Sequence, residues 1–192
     1  MLFLTNFADL GLLLPLVGMI ALALAAVGRR RDALAWSLAV ICTLTTMLLL
    51  KVLTFVFIDP GKFEGLVNPS GHTAAGTVVY AGLLFLIGER FASRTILALL
   101  AGAMFSLIFG FTRLMLRVHT LEDVLVGGMV GLVGVSVIAC LASPRRPTVP
   151  GLELMVLTAI ACFGMLTFYG HSINAEVELQ WLAAQIRSAS TL

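Results

Sequence analysis

Six apolar runs, at residues 10–27, 34–58, 73–88, 96–111, 121–141 and 152–170, decide what this chain can fold into. None shows the period-two alternation of a half-buried strand. In lipid every backbone N–H and C=O needs a partner inside its own segment, and a helix provides one while open chain does not. At about 20 residues per crossing, six helices consume roughly 120 residues, which leaves too few for a separate soluble domain. The expected fold is all-α, a polytopic membrane helical bundle of about six transmembrane helices, with residues 1–192 as one domain. Composition agrees, because 60% of the residues are hydrophobic, only 11% are charged and the mean hydropathy is +1.07. A net charge of +2, with no like-charge run longer than Arg29-Arg30-Arg31, gives no footing for nucleic acid.

Turn chemistry separates the runs: Asp59-Pro60-Gly61, Asn68-Pro69, Ser143-Pro144 and the stretch 147–151. No basic segment precedes the first run and no small-residue cleavage site follows it, so it is expected to remain as a span. Cys42, Cys140 and Cys162 fall within apolar runs, an odd number that suits packing thiols better than disulfides. Beyond residue 170, Val177, Trp181, Leu182 and Ile186 recur at helical spacing opposite Glu178 and Gln185, the pattern of an amphipathic helix over 174–192 or of a partly frayed tail.

Loop charge sets the expected orientation. The first, third and fifth loops carry Arg29, Arg30, Arg31, Arg90, Arg94, Arg145 and Arg146, seven against the three of the second and fourth loops, Lys62, Arg113 and Arg117. Basic loops stay in the cytoplasm, so the second and fourth loops and both chain ends are expected on the outer face.

Ionisable groups near membrane depth cost several kcal/mol unless they are paired, hydrated or functional, which makes the few present here informative. Lys51 lies near the outer end of the second run. Ser70 and His72 open the third, and Arg113, Arg117, His119, Glu122 and Asp123 lie between the fourth and fifth. All fall on the expected outer side. In Asn68-Pro69-Ser70-Gly71-His72-Thr73, Ser70 is placed to cap the next helix, whose free N–H groups favour a phosphate, with His72 as a proton donor beside it. The same residues also fit a plain N-cap with an interfacial histidine.

In the segment from Thr112 to Asp123, His119 and Asp123 are one helical turn apart, so the carboxylate can orient one ring nitrogen and leave the other as base or nucleophile. Arg113 supplies a fork for phosphate oxygens. An ion-paired helix end, Arg117 with Glu122, is the structural alternative. A metal set of His72, His119 and Asp123 is a further alternative, although no His-x-x-x-His pair, nearby Cys or acidic cluster accompanies it. The site is therefore read as metal-free.

These residues resemble the type 2 phosphatidic acid phosphatase superfamily of membrane lipid phosphatases. Its second motif, Pro-Ser-Gly-His, stands here as Pro69, Ser70, Gly71 and His72. Its third, Ser-Arg, five residues, His, three residues, Asp, appears as Thr112, Arg113, His119 and Asp123 with both spacings kept. The first motif, Lys, six residues, Arg-Pro, is altered to Lys51, seven residues, Asp59-Pro60, so its arginine is missing. Lys62 and Arg117 are the nearest substitutes for that charge. The resemblance spans Lys51 to about Gly131 and leaves both ends uncovered.

The resemblance implies a phosphatase with no cofactor. His119 attacks phosphorus, Asp123 orients it, His72 protonates the leaving oxygen, and Lys51, Ser70, Gly71 and Arg113 bind phosphate. The partner is then a phosphorylated membrane lipid of the undecaprenyl diphosphate, phosphatidylglycerophosphate, phosphatidic acid or lipid A type, met at the outer face of a bacterial inner membrane. An inactive member that binds or handles phosphorylated lipids is the alternative. An anion channel is disfavoured, since no repeat or broken-helix pair is present. His171 matches no motif and reads as an interfacial histidine.

Overall fold

The computed structural model describes residues 2–57, 68–88, 93–143, 150–173 and 175–190. Asp59, Pro60, Lys62, Arg90, Arg145 and Arg146 lie outside the described residues. A short helix α1 (Leu2–Thr5) and a 3-10 turn (Asn6–Ala8) precede α2 (Leu10–Ala26) and α3 (Arg30–Phe57). Next come α4 (Gly71–Gly76) and α5 (Gly82–Gly88), joined by the π-helical segment Thr77–Ala81 into one rod, followed by α6 (Arg94–Met115), α7 (Leu121–Leu141), α8 (Pro150–Phe168) and α9 (Ala175–Ser190). Among the described residues there is no strand. Four helices, α3, the α4–α5 rod, α6 and α7, are long and apolar enough to cross a membrane, and α2 and α8 supply two shorter apolar helices.

The bundle is apolar outside and carries its polar groups within. Leu22, Leu34, Leu107, Val133 and Leu166 are exposed, whereas Asp32, Thr43, Lys51, Thr73, Thr77, Thr112 and Asp123 are buried. That inversion is what lipid as solvent selects. The α4–α5 rod is central, with every residue from Thr73 to Leu83 buried. It lies against α6 and α7, while α3 packs on α7 and α2 on α3 and α8.

Small residues let α7 come this close to the rod. A Cβ on Gly131 would stand 2.8 Å from the Ala74 carbonyl oxygen and 2.7 Å from Thr77 Cβ, and one on Gly127 would collide with the Ser70 carbonyl. Lipid offers no hydrophobic drive between helices, so close backbone approach is what binds them. The π segment falls where Tyr80 stacks on Phe105 and Phe109, and the Tyr80 hydroxyl donates to the Phe7 carbonyl at 2.7 Å. A buried tyrosine thus finds its polar partner in the chain ahead of α2, tying that segment to the core.

The three cysteines are free, but they are exposed on outward helix faces. That corrects the expectation that they pack inside, since an apolar outer wall accepts a thiol as readily as a core does. The tail is helical, yet Val177, Trp181 and Leu182 face outward. α9 lies along α3, with Ala183 buried and Leu179 half-buried.

At the end of the bundle opposite His72, arginines close the helix ends. The Arg94 guanidinium donates to the carbonyls of Ala139, Ala142 and Ser143 at 2.9, 3.1 and 2.8 Å and lies 5.2 Å from the Phe85 ring centroid. Arg31 Nε donates to the Leu141 carbonyl at 2.8 Å. Arg29 pairs with Asp32 at 2.6 Å, and Asp32 accepts the Ser143 N–H at 2.6 Å. The last carbonyls of α7 have no partner inside their own helix, and a cation there also meets the negative end of the helix dipole.

Candidate active site

Two caps build the site. Ser70 is the N-cap of α4: its Oγ accepts the Thr73 N–H at 3.4 Å and the Thr73 hydroxyl at 2.9 Å. Thr120 is the N-cap of α7 in a capping box, in which Thr120 Oγ1 accepts the Asp123 N–H at 3.3 Å and Asp123 Oδ2 accepts the Thr120 N–H at 2.9 Å. The Ser70 N–H then donates to the Asp123 carbonyl at 3.0 Å. Two segments some fifty residues apart in sequence are locked together by one backbone bond at their helix starts.

His119 lies just before this cap, outside the helix. Its Nδ1 stands 3.5 Å from Asp123 Oδ2, with both side chains almost fully enclosed. The pair expected from the spacing forms, but for a different reason: the capping box fixes Asp123, and the turn ahead of it delivers His119.

That turn is a tight one. The Arg117 N–H bonds to Leu114 and the Val118 N–H to Arg113, a Schellman ending for α6 with Arg117 in the left-handed position at φ 54°. Arg117 is exposed there, and among the described residues it forms no ion pair with Glu122.

Lys51, Gly71, His72, Arg113 and His119 line one cavity of about 570 Å³. Lys51 is buried, donates to Asn68 Oδ1 at 2.9 Å and lies 5.9 Å from the Phe55 ring centroid. Arg113 Nη1 donates to Thr5 Oγ1 at 3.1 Å. Thr112 takes no part, because its hydroxyl turns back to the Phe109 carbonyl at 2.7 Å. Ser70 and Asp123 stand behind the described lining rather than in it. Ser70 is wholly enclosed, so it shapes the helix start, and Gly71 and His72 are what the cavity meets. His72, His119 and Asp123 do not converge as a ligand set, because His72 turns toward Asp9 while His119 turns toward Asp123.

Four further polar residues line the wall, Thr5, Asn6, Asp9 and Thr45, and none of them belongs to a motif. The available signal was an acid directly ahead of an apolar run, which marks an N-cap at membrane depth. Asp9 caps α2 by accepting the Gly11 N–H at 2.9 Å. Burial works to raise its pKa, but hydrogen bonding with His72 and with the Gly11 and Ile173 N–H groups outweighs that and holds the carboxyl below its ordinary value. The remaining wall is apolar, including Leu10, Leu14, Leu44, Met47 and Leu48 from α2 and α3.

A cavity that gathers a lysine, an arginine and two histidines at one end of an apolar helical bundle is chemically suited to an anionic group, and the long apolar helices around it are compatible with an integral membrane protein. Residues 50–147 match the family model of the PAP2 superfamily, and the chain belongs to that superfamily. The family carries phosphatase activity on phosphorylated substrates. No curated protein and no solved structure matches the chain.

Proposed function

We propose that this protein hydrolyses a lipid phosphate or lipid diphosphate through a phosphohistidine intermediate, by a metal-independent route that uses the chain's own groups. The observation that carries the reading is the two-part cavity: cationic and imidazole groups together with an apolar wall that includes Leu14 and Leu48, both about half exposed. A phosphate headgroup fits the first part and an acyl or prenyl chain the second.

His119 Nδ1 faces Asp123, which leaves Nε2 to attack phosphorus. The P–O bond to the lipid breaks as the N–P bond forms, His72 delivers its proton to the departing oxygen, and Arg113, Lys51 and the Gly71 backbone bear the charge on the transferring phosphoryl group. Water then attacks the phosphohistidine with His72 taking its proton, phosphate leaves, and both histidines return to their starting states. Arg29, Arg31 and Arg94 gather at the end opposite the cavity, which supports an active site on the outer face of a bacterial inner membrane.

The test is phosphate release by purified protein in detergent with chelator present, across lipid mono- and diphosphates, with His119→Ala as control. Release that disappears in the variant is the expected result; release that persists removes the nucleophile assignment. Aspartate in place of the first-motif arginine favours a second reading, a lipid-phosphate binder without turnover. Absence of release together with retained lipid binding selects it. For orientation, Glu122→Cys in a cysteine-free background is expected to react with an impermeant thiol reagent added outside the cell, and reaction only after lysis inverts the topology.

A further inference from the structure

The segment ahead of α2 lies outside the matched region, yet it is bound firmly to the site. Thr5 accepts from Arg113, Phe7 accepts from Tyr80, and the Phe3 carbonyl accepts the Tyr169 hydroxyl at 3.2 Å, with the rings of Phe3, Phe7 and Tyr169 in mutual contact. At its end stands Asp9. Oδ1 accepts two backbone N–H groups, from Gly11 at 2.9 Å and from Ile173 at 3.0 Å, and Oδ2 lies 3.8 Å from His72 Nε2. One carboxylate oxygen is fixed twice, so the other is aimed. The second of those bonds needs the chain after α8 to lie directly on the start of α2. Gly11 permits it, since a Cβ there would collide with the His171 carbonyl.

We propose that Asp9 is a positioning residue for the leaving-group proton: its carboxylate holds His72 by Nε2 and leaves Nδ1 to serve the departing oxygen. The proposal rests on the reading of His72 as general acid. A separation of 3.8 Å is charge contact rather than a hydrogen bond, and such contacts often tighten once substrate is bound. The arrangement parallels that of His119 with Asp123. Each histidine then has its own carboxylate, one supplied from the matched region and one from outside it. His72 differs in being about one-third exposed, where His119 is enclosed, so its orientation depends more on a single partner.

The consequence is specific to the leaving group. An alkyl alkoxide must be protonated as it departs, whereas a nitrophenolate departs without help. The experiment compares kcat/KM, which reports phosphoryl transfer, for a short-chain lipid phosphate and for p-nitrophenyl phosphate in wild type, Asp9→Asn and His72→Ala. Asparagine keeps an oxygen to cap α2, and thermal unfolding in detergent checks that the fold is retained; Asp9→Ser, another N-cap residue, replaces it if the first variant does not fold.

His72→Ala is expected to lose roughly 10²-fold or more on the alkyl substrate. Asp9→Asn is expected to lose about 10-fold or more on it, and each variant should lose far less on the aryl one. If only His72→Ala discriminates between the substrates, and Asp9→Asn slows both alike or neither, Asp9 is structural and the proposal is overturned while the general-acid reading stands. If His72→Ala does not discriminate either, the general-acid reading falls and takes the proposal with it.

Discussion

The two ends of this bundle use the same residue types for opposite purposes. At the end of Arg29, Arg31 and Arg94, guanidinium groups donate to the terminal carbonyls of α5 and α7, and the acid among them, Asp32, is matched by Arg29 and the Ser143 N–H. At the other end, Lys51, Arg113, His72 and His119 surround a cavity of about 570 Å³. The first arrangement fixes helix ends to one another. The second positions cationic groups where an anion can enter. Charge content alone does not distinguish the two. What separates them is whether the side chains converge on backbone carbonyls or on a shared space.

Substitutions at the two ends should therefore fail differently. His119→Ala is expected to lower phosphate release by about 10³-fold or more with little change in thermal stability, as removal of a nucleophile does. Arg113→Ala should lower kcat/KM by roughly 10²-fold, as loss of one charge-stabilising donor does, and Arg113→Lys should recover only part of that because a single ammonium replaces a planar fork.

At the opposite end Arg94→Ala should leave kcat of the folded protein unchanged and cost about 1–3 kcal/mol of stability, seen as a lower midpoint in detergent unfolding. A large fall in kcat without loss of stability there would break the contrast. The smallest effect sharpens it: Arg117→Gly relieves a left-handed residue and should stabilise the protein by about 1 kcal/mol without changing turnover. A drop in turnover would instead make Arg117 a phosphate contact.

Much of this was legible in the sequence, because lipid leaves so few ways to satisfy a backbone. The apolar runs mark the helices and their order, and Ser70 marks one of the helix starts. The His119 and Asp123 pair was found through helical spacing although His119 is not in a helix; the better signal was Thr120-Leu121-Glu122-Asp123, a capping box that places the acid without reference to helical pitch. The carbonyl clamps were not legible, since counting arginines per loop predicts a side of the membrane and names no partner. Nor was the role of Thr5, Asn6 and Asp9. They carry no motif of their own, and their meeting with His72 and Arg113 depends on how the chain folds over the rod.

The π segment Thr77–Ala81 has a consequence for register. An α-helix turns about 100° per residue, so one residue accommodated in a wider turn rotates everything before it relative to everything after. Removing a single residue from 77–81 would let the rod become a regular α-helix with its own hydrogen bonds intact, although Ser70 and Ala74 would turn away from Gly127 and Gly131 of α7. His72 would likewise swing about 100° away from Asp9 and the cavity, while Leu83, Phe85 and Leu86 kept their places in the core. The bulge acts as a phase shifter between the half of the rod that carries His72 and the half that carries Leu83, Phe85 and Leu86.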